Sequence, residues 1–169
     1  AFQASGAAVL VSPSALELSG ILTAEMSTAL VDINRSFNVG GEAVSLNVAA
    51  GSARLGADDL TLIINPSDPM AQLRGSFAIE KATLPGPDGV LGTPDDGIEI
   101  LIGADGVEIF VGDQGVENDP DDDIGFRVEG AELVALIAAG GFAVDASGTA
   151  EIVGVSGLTL GGSFGVQVN

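Results

Sequence analysis

The chain contains no Cys, no His, no Trp and no Tyr. Without Cys there is no disulfide, no thiol nucleophile and no Cys/His zinc site, and without His there is no Ser–His–Asp relay. A glycosidase pair of carboxylates would want aromatic platforms for sugar rings, and those are missing too. No enzymatic activity is expected. Basic residues are scarce: Arg35, Arg54, Arg74, Lys81 and Arg127 stand against 24 acids, for a formal charge of −19. Nucleic acid is therefore not an expected partner, because neutralising phosphates takes clustered Lys and Arg. No run reaches the ~18 apolar residues of a spanning helix. The longest approach, Leu133 to Val144, is broken by Gly140-Gly141, so no membrane span is expected. Ala1-Phe2-Gln3 has neither a basic n-region nor an apolar h-region, and no signal peptide is expected there.

What the chain does have is apolar content. Of its 169 residues, 46% are hydrophobic and 25 are Gly, and the mean hydropathy is +0.46. That separates it from charged disordered chains and gives it the means to bury a core of small and medium side chains.

The chain also repeats itself. Residues 1–27 lie over residues 143–169 without a gap, and ten of those 27 positions are identical. The identities include Ala4/Ala146, Gly6/Gly148, Leu18/Leu160 and Gly20/Gly162. Ala1 meets Ala143, so the period is 142 residues, and residues 1–169 read as one β-rich repeat unit plus an overlap. Two shorter echoes sit inside that period. Leu-x-Gly followed by an apolar stretch occurs at Leu18, Leu73 and Leu160. Gly-Ala-acid followed by an apolar stretch occurs at Gly56, Gly103 and Gly130 and reads as a second repeated theme, a common turn being the plainer alternative.

Apolar residues alternate with a period of two. Leu16/Leu18, Val44/Leu46/Val48, Leu60/Leu62/Ile64, Ile98/Ile100/Ile102, Val107/Ile109/Val111 and Phe164/Val166/Val168 all follow it. The pattern predicts strands with one face covered and the other solvated, which favours antiparallel pairing. The expected class is all-β: an elongated antiparallel sandwich or roll of repeated hairpins, with a β-solenoid as the alternative.

Half of the acids, twelve, lie between Lys81 and Arg127, where no basic residue occurs. They gather mainly in two loops of the acidic region 85–123. The first, Pro85 to Gly97, carries Asp88, Asp95 and Asp96 among glycines that permit a tight wrap. The second holds Glu117, Asp119, Asp121, Asp122 and Asp123, with Asp113 near its start. Crowded carboxylates repel unless a cation intervenes, and Ca²⁺ takes several hard oxygen ligands in a flexible shell. These nine residues are the candidate Ca²⁺ ligands. Neither loop has EF-hand spacing. Residues 98–111 read as a hairpin between the loops, which would put both at one edge, able to share ions.

Gly-Pro-Asp-Gly-Val-Leu-Gly-Thr-Pro-Asp-Asp-Gly (residues 86–97) resembles the acidic loops of very large secreted bacterial proteins with calcium-dependent repeats. The runs from Asp122 to Leu133, Phe142 to Ala150 and Val155 to Phe164 are similar to tandem units in such proteins. The resemblance implies an extracellular, cell-surface-associated, calcium-rigidified array serving as an adhesin stalk or biofilm-matrix fibre. Its implied partners are identical or similar units joined end to end, strand exchange being one route. The alternative is a β module binding a glycan, an ice surface or a host receptor, and a third option is an apolar groove that carries lipid.

Overall fold

The period-two segments form strands, in long stretches. The structure, a computed structural model, describes residues 1–12, 16–66, 70–115 and 122–169. The strands are β1 (Phe2–Ser12), β2 (Leu16–Met26), β3 (Ile33–Val39), β4 (Glu42–Val48), β5 (Ala53–Ile64), β6 (Ala71–Leu84), β7 (Gly97–Asp113), β8 (Ile124–Ala138), β9 (Gly141–Val153) and β10 (Leu160–Val168). Among the described residues there is no helix. The apolar run from Leu133, the longest in the chain, lies in β8 as far as Ala138.

Eight strands make one sheet in the order β1-β2-β5-β6-β7-β8-β9-β10. Every pairing is antiparallel, and β3 and β4 form a separate antiparallel hairpin. The sheet does not close into a barrel, since β1 and β10 are each paired on one side only. The all-β antiparallel expectation holds. The solenoid alternative is not what forms, because solenoid coils would stack their strands in parallel rather than in a meander. The β3–β4 hairpin sits near β1, where the Asn47 amide donates to Gln3 Oε1 at 3.3 Å.

Strands this long would twist out of register without relief, and the relief is visible. The register shifts between Ser19 and Ile21, Ala57 and Leu60, Arg74 and Ser76, Ala104 and Val107, and Glu129 and Glu132. These β-bulges form a seam across the strands, and bulges bend a strand and increase its local twist. All three Gly-Ala-acid segments lie on the seam, inside β5, β7 and β8. They do not reverse the chain, so the expected hairpin over residues 98–111 is instead the single strand β7. Gly106, at φ 58°, supplies one left-handed residue, which makes a bulge; reversing a strand takes a longer turn.

The Leu-x-Gly echoes of β2 and β6 face these bulges. A Cβ on Gly20 would lie 3.1 Å from Leu60 Cα, and one on Gly75 would lie 3.0 Å from Val107 Cα. Glycine is required there by the close approach of a neighbouring backbone. One face of the sheet carries apolar rows that run from strand to strand. In one, Leu22, Ala57, Phe77, Ala104 and Leu133 stand opposite one another in turn. Little of this surface is covered. Among the described residues the buried hydrophobics anywhere in the molecule are Val48, Val107, Phe110, Val128 and Ala135, while on this face Leu55 and Ile79 stay exposed.

The seam makes a testable demand. Gly75→Val should lower stability by about 1–3 kcal/mol through overpacking, measured by urea denaturation. A half-buried glycine with nothing within 4 Å of an added Cβ, such as Gly103, should tolerate the same change far better.

Candidate functional site

The two acidic loops leave opposite ends of β7. The first, residues 85–96, precedes Gly97; the second follows Asp113. A strand of 17 residues at ~3.3 Å per residue holds them about 50 Å apart. They cannot share ions, contrary to the expectation that both lie at one edge, because the segment between them does not turn back.

The first loop is closed by its own donors. Asp88 Oδ1 accepts from the Val90 amide at 2.8 Å, the Asx-turn geometry that Asp-Gly-Val favours. Asp96 Oδ2 accepts from the Gly92 amide at 2.6 Å. The Thr93 hydroxyl lies 2.6 Å from Asp95 Oδ1 and 3.3 Å from Asp96 Oδ1, and 3.0 Å from the Val90 carbonyl. The loop is seated on the segment joining β2 to β3: a Cβ on Gly92, where φ is 93°, would meet Leu30 Cδ2 at 2.9 Å. The Thr93 hydroxyl holds the Asp95 carboxyl below its ordinary value of 3.8; burial opposes this, and backbone donors of Asp95 and Asp88 assist. Asp88 and Asp95 are exposed and Asp96 is half-buried, so carboxylate oxygens remain open to solvent at this turn.

At the second loop, Glu117, Asp119 and Asp121 lie outside the described residues. Asp113 is exposed at the end of β7, and Asp122 is exposed. Asp123 is held by a basic side chain: Arg127 Nη2 lies 2.7 Å from its Oδ2, with both side chains largely buried. The guanidinium also approaches Glu129 at 3.8 Å and Glu151 at 3.7 Å, and it stands 5.9 Å from the Phe110 ring centroid. Arg127 thus gathers acids from two neighbouring chain segments over a buried aromatic ring, neutralising charge as a cation would. The spacing of Asp123 and Arg127 was open to reading in advance; the arrival of Glu151 beside them needed the β8–β9 register. The acidic pair Asp58 and Asp59 lies on the bulge of β5, where the Asp59 amide donates to Ser76 Oγ at 3.4 Å. Among the described residues, no three acids are grouped closely enough to hold a metal ion.

A second feature was not anticipated as a defined site. The apolar rows floor an open trough of about 700 Å³, lined by Ala4, Leu22, Leu55, Phe77, Ile102 and Leu133 among others. Six strands contribute to it, and only their register brings these residues together.

Compared with protein-family models, with curated proteins and with solved structures, the chain matches none. Its function therefore rests on the residues themselves.

The first loop yields a pH prediction. Because the folded Asp95 pKa is depressed, its contribution to stability is present above about pH 3.8 and is lost as pH falls through the folded value. Thr93→Val should move the Asp95 pKa up toward 3.8, as read by NMR titration of the carboxyl carbon.

Proposed function

We propose that this chain is a structural repeat of an extracellular fibre or adhesin stalk, joined end to end with neighbouring units and stiffened by Ca²⁺ in its acidic loops. The observation that carries the reading is the equivalence of two hairpins within one sheet. β1 and β2 pair with Phe2 opposite Met26 and Leu10 opposite Leu18. β9 and β10 pair with Val144 opposite Val168 and Ile152 opposite Leu160, the same register one period later. Even the side-chain bond is kept with its partners reversed: Gln3 donates to Glu25 at 2.8 Å, and Gln167 donates to Asp145 at 2.9 Å. A sheet that starts its own pattern again while still open is suited to growth in one direction.

In this reading the chain acts mechanically rather than catalytically. Backbone ladders run across the array, and the acidic segments adjoin opposite ends of β7. The ligands assigned to Ca²⁺ are Asp88, Asp95 and Asp96 at one end, and Asp113, Glu117, Asp119, Asp121, Asp122 and Asp123 at the other. An ion that binds only the folded loops stabilises the fold by RT ln(1 + [L]/Kd), about 2.7 kcal/mol at a hundred times Kd. Thermal unfolding in millimolar CaCl₂ should therefore exceed that in EGTA by roughly ten degrees, with MgCl₂ failing to reproduce the rise. Superimposable melting curves would remove calcium from the proposal.

The open trough favours a second reading, a groove that carries an apolar chain such as a lipid acyl tail. Native mass spectrometry of gently purified protein should then show an adduct that organic extraction removes. Protein of bare polypeptide mass would end that reading.

A further inference from the structure

The two outer strands of the sheet present unpaired backbone edges, and the chain itself contains the strands that such edges receive. Gly20 of β2 and Gly162 of β10 are equivalent across the 142-residue period. Gly20 has no room for a Cβ because the bulge of β5 approaches it, with Leu60 Cα at 3.1 Å and Asp58 O at 3.3 Å from the position a Cβ would take. Around Gly162 there is nothing within 4 Å. At the other edge the same contrast recurs. Gly148 of β9 is approached from both sides, by Phe164 Cζ of β10 at 2.9 Å and by Ala131 Cβ in the bulge of β8 at 3.0 Å from an added Cβ, whereas its equivalent Gly6 in β1 has nothing within 4 Å. Exposure follows suit: β2 is half-buried along much of its length, while β10 is exposed at every position.

Each edge thus carries a glycine of the kind that, elsewhere in the sheet, accommodates a Gly-Ala-acid bulge. Placing β10 directly against the β1 edge of another molecule would set two unbulged strands together and leave both glycines without that function. We infer that the outer edge of β10 takes a β5-type strand, and the outer edge of β1 a β8-type strand, each from a further unit of this same repeat. The β8–β9 ladder, from Gly125 opposite Val153 to Ala138 opposite Gly141, is then already a junction between units. The β2–β5 register carries over to the new contact. Leu18 faces Leu62 and Ala24 faces Leu55, so Leu160 would face Leu62, and Val166 would face Leu55, of the following unit. The bulge selects for this partner: a flat, unbulged strand leaves Gly162 idle, and one slipped by a residue puts its apolar rows on the wrong face.

This inference rests on the end-to-end reading above but not on calcium, and the experiment separates the two. A lengthened chain in which residues 28–169 follow Asn169 keeps the period, since Asn169 is equivalent to Ser27. Amide hydrogen exchange is compared in the 169-residue chain and the lengthened one, each in CaCl₂ and in EGTA. The outward-facing β10 amides are expected to slow at least tenfold in the lengthened chain, reaching the rates of their β2 equivalents. If they exchange as fast as in the shorter chain, the pairing is overturned, whatever calcium does. Slowing that persists in EGTA keeps the pairing even where calcium has no effect on melting. Gly162→Val supplies a second readout. It should leave the melting temperature of the 169-residue chain unchanged and lower that of the lengthened chain, as Gly20→Val does in the shorter one. A variant neutral in both lengths would overturn the assigned register.

Discussion

The antiparallel backbone ladder is the interaction on which everything else in this molecule depends. Most domains of this size are held by a closed core, but among the described residues no large side chain is completely buried, and only five hydrophobic residues are buried. What is continuous is the hydrogen-bonded meander across eight strands. A ladder constrains strongly along and across its strands and weakly perpendicular to them. It also ends in two rows of unsatisfied donors and acceptors, which natural proteins ordinarily blunt or cover. Here the edges are neither short nor capped by charge, and they carry the same glycines that admit a neighbour in the interior.

The bulge seam gives the ladder its specificity. A plain sheet with small alternating side chains would be prone to register slips. Placing an extra residue in β5, β7 and β8, with a glycine opposite in β2, β6 and β9, converts a smooth surface into one with a single matching offset. One acidic residue at the seam, Asp59, follows from the same geometry, since Asp, like Gly, tolerates the left-handed conformation at a bulge. Asp59, at φ 50°, shows this directly. Some of the negative charge is thus conformational in origin, apart from any role in binding ions.

Charge elsewhere is handled locally. The first acidic loop satisfies Asp88, Asp95 and Asp96 with its own amides and one hydroxyl. The second leans on Arg127, whose guanidinium serves Asp123 and approaches Glu129 and Glu151. Both solutions leave carboxylate oxygens facing solvent at opposite ends of the strands, which is where an ion would stiffen the turns of an extended sheet most directly.

Much of this was legible in the chain alone. Period-two alternation determined that Ile98–Ile102 and Val107–Val111 are strand, and the absence of Cys, His, Trp and Tyr bounded the chemistry. The gapless match of residues 1–27 with 143–169 marked the period, since local patterning survives in linear order. Local signals could not say whether Gly103-Ala-Asp-Gly reverses the chain or merely kinks it. That depends on whether the flanking segments find partners on β6 and β8 or on each other, a competition between long-range ladders of comparable local cost. The tertiary structure decided it in favour of one long strand, and with that choice separated the two acidic loops, brought Glu151 to Arg127 and assembled the apolar trough. The sequence determined which residues want to be strand and which want to be charged; only the pairing of strands distant in the chain decided which of them meet.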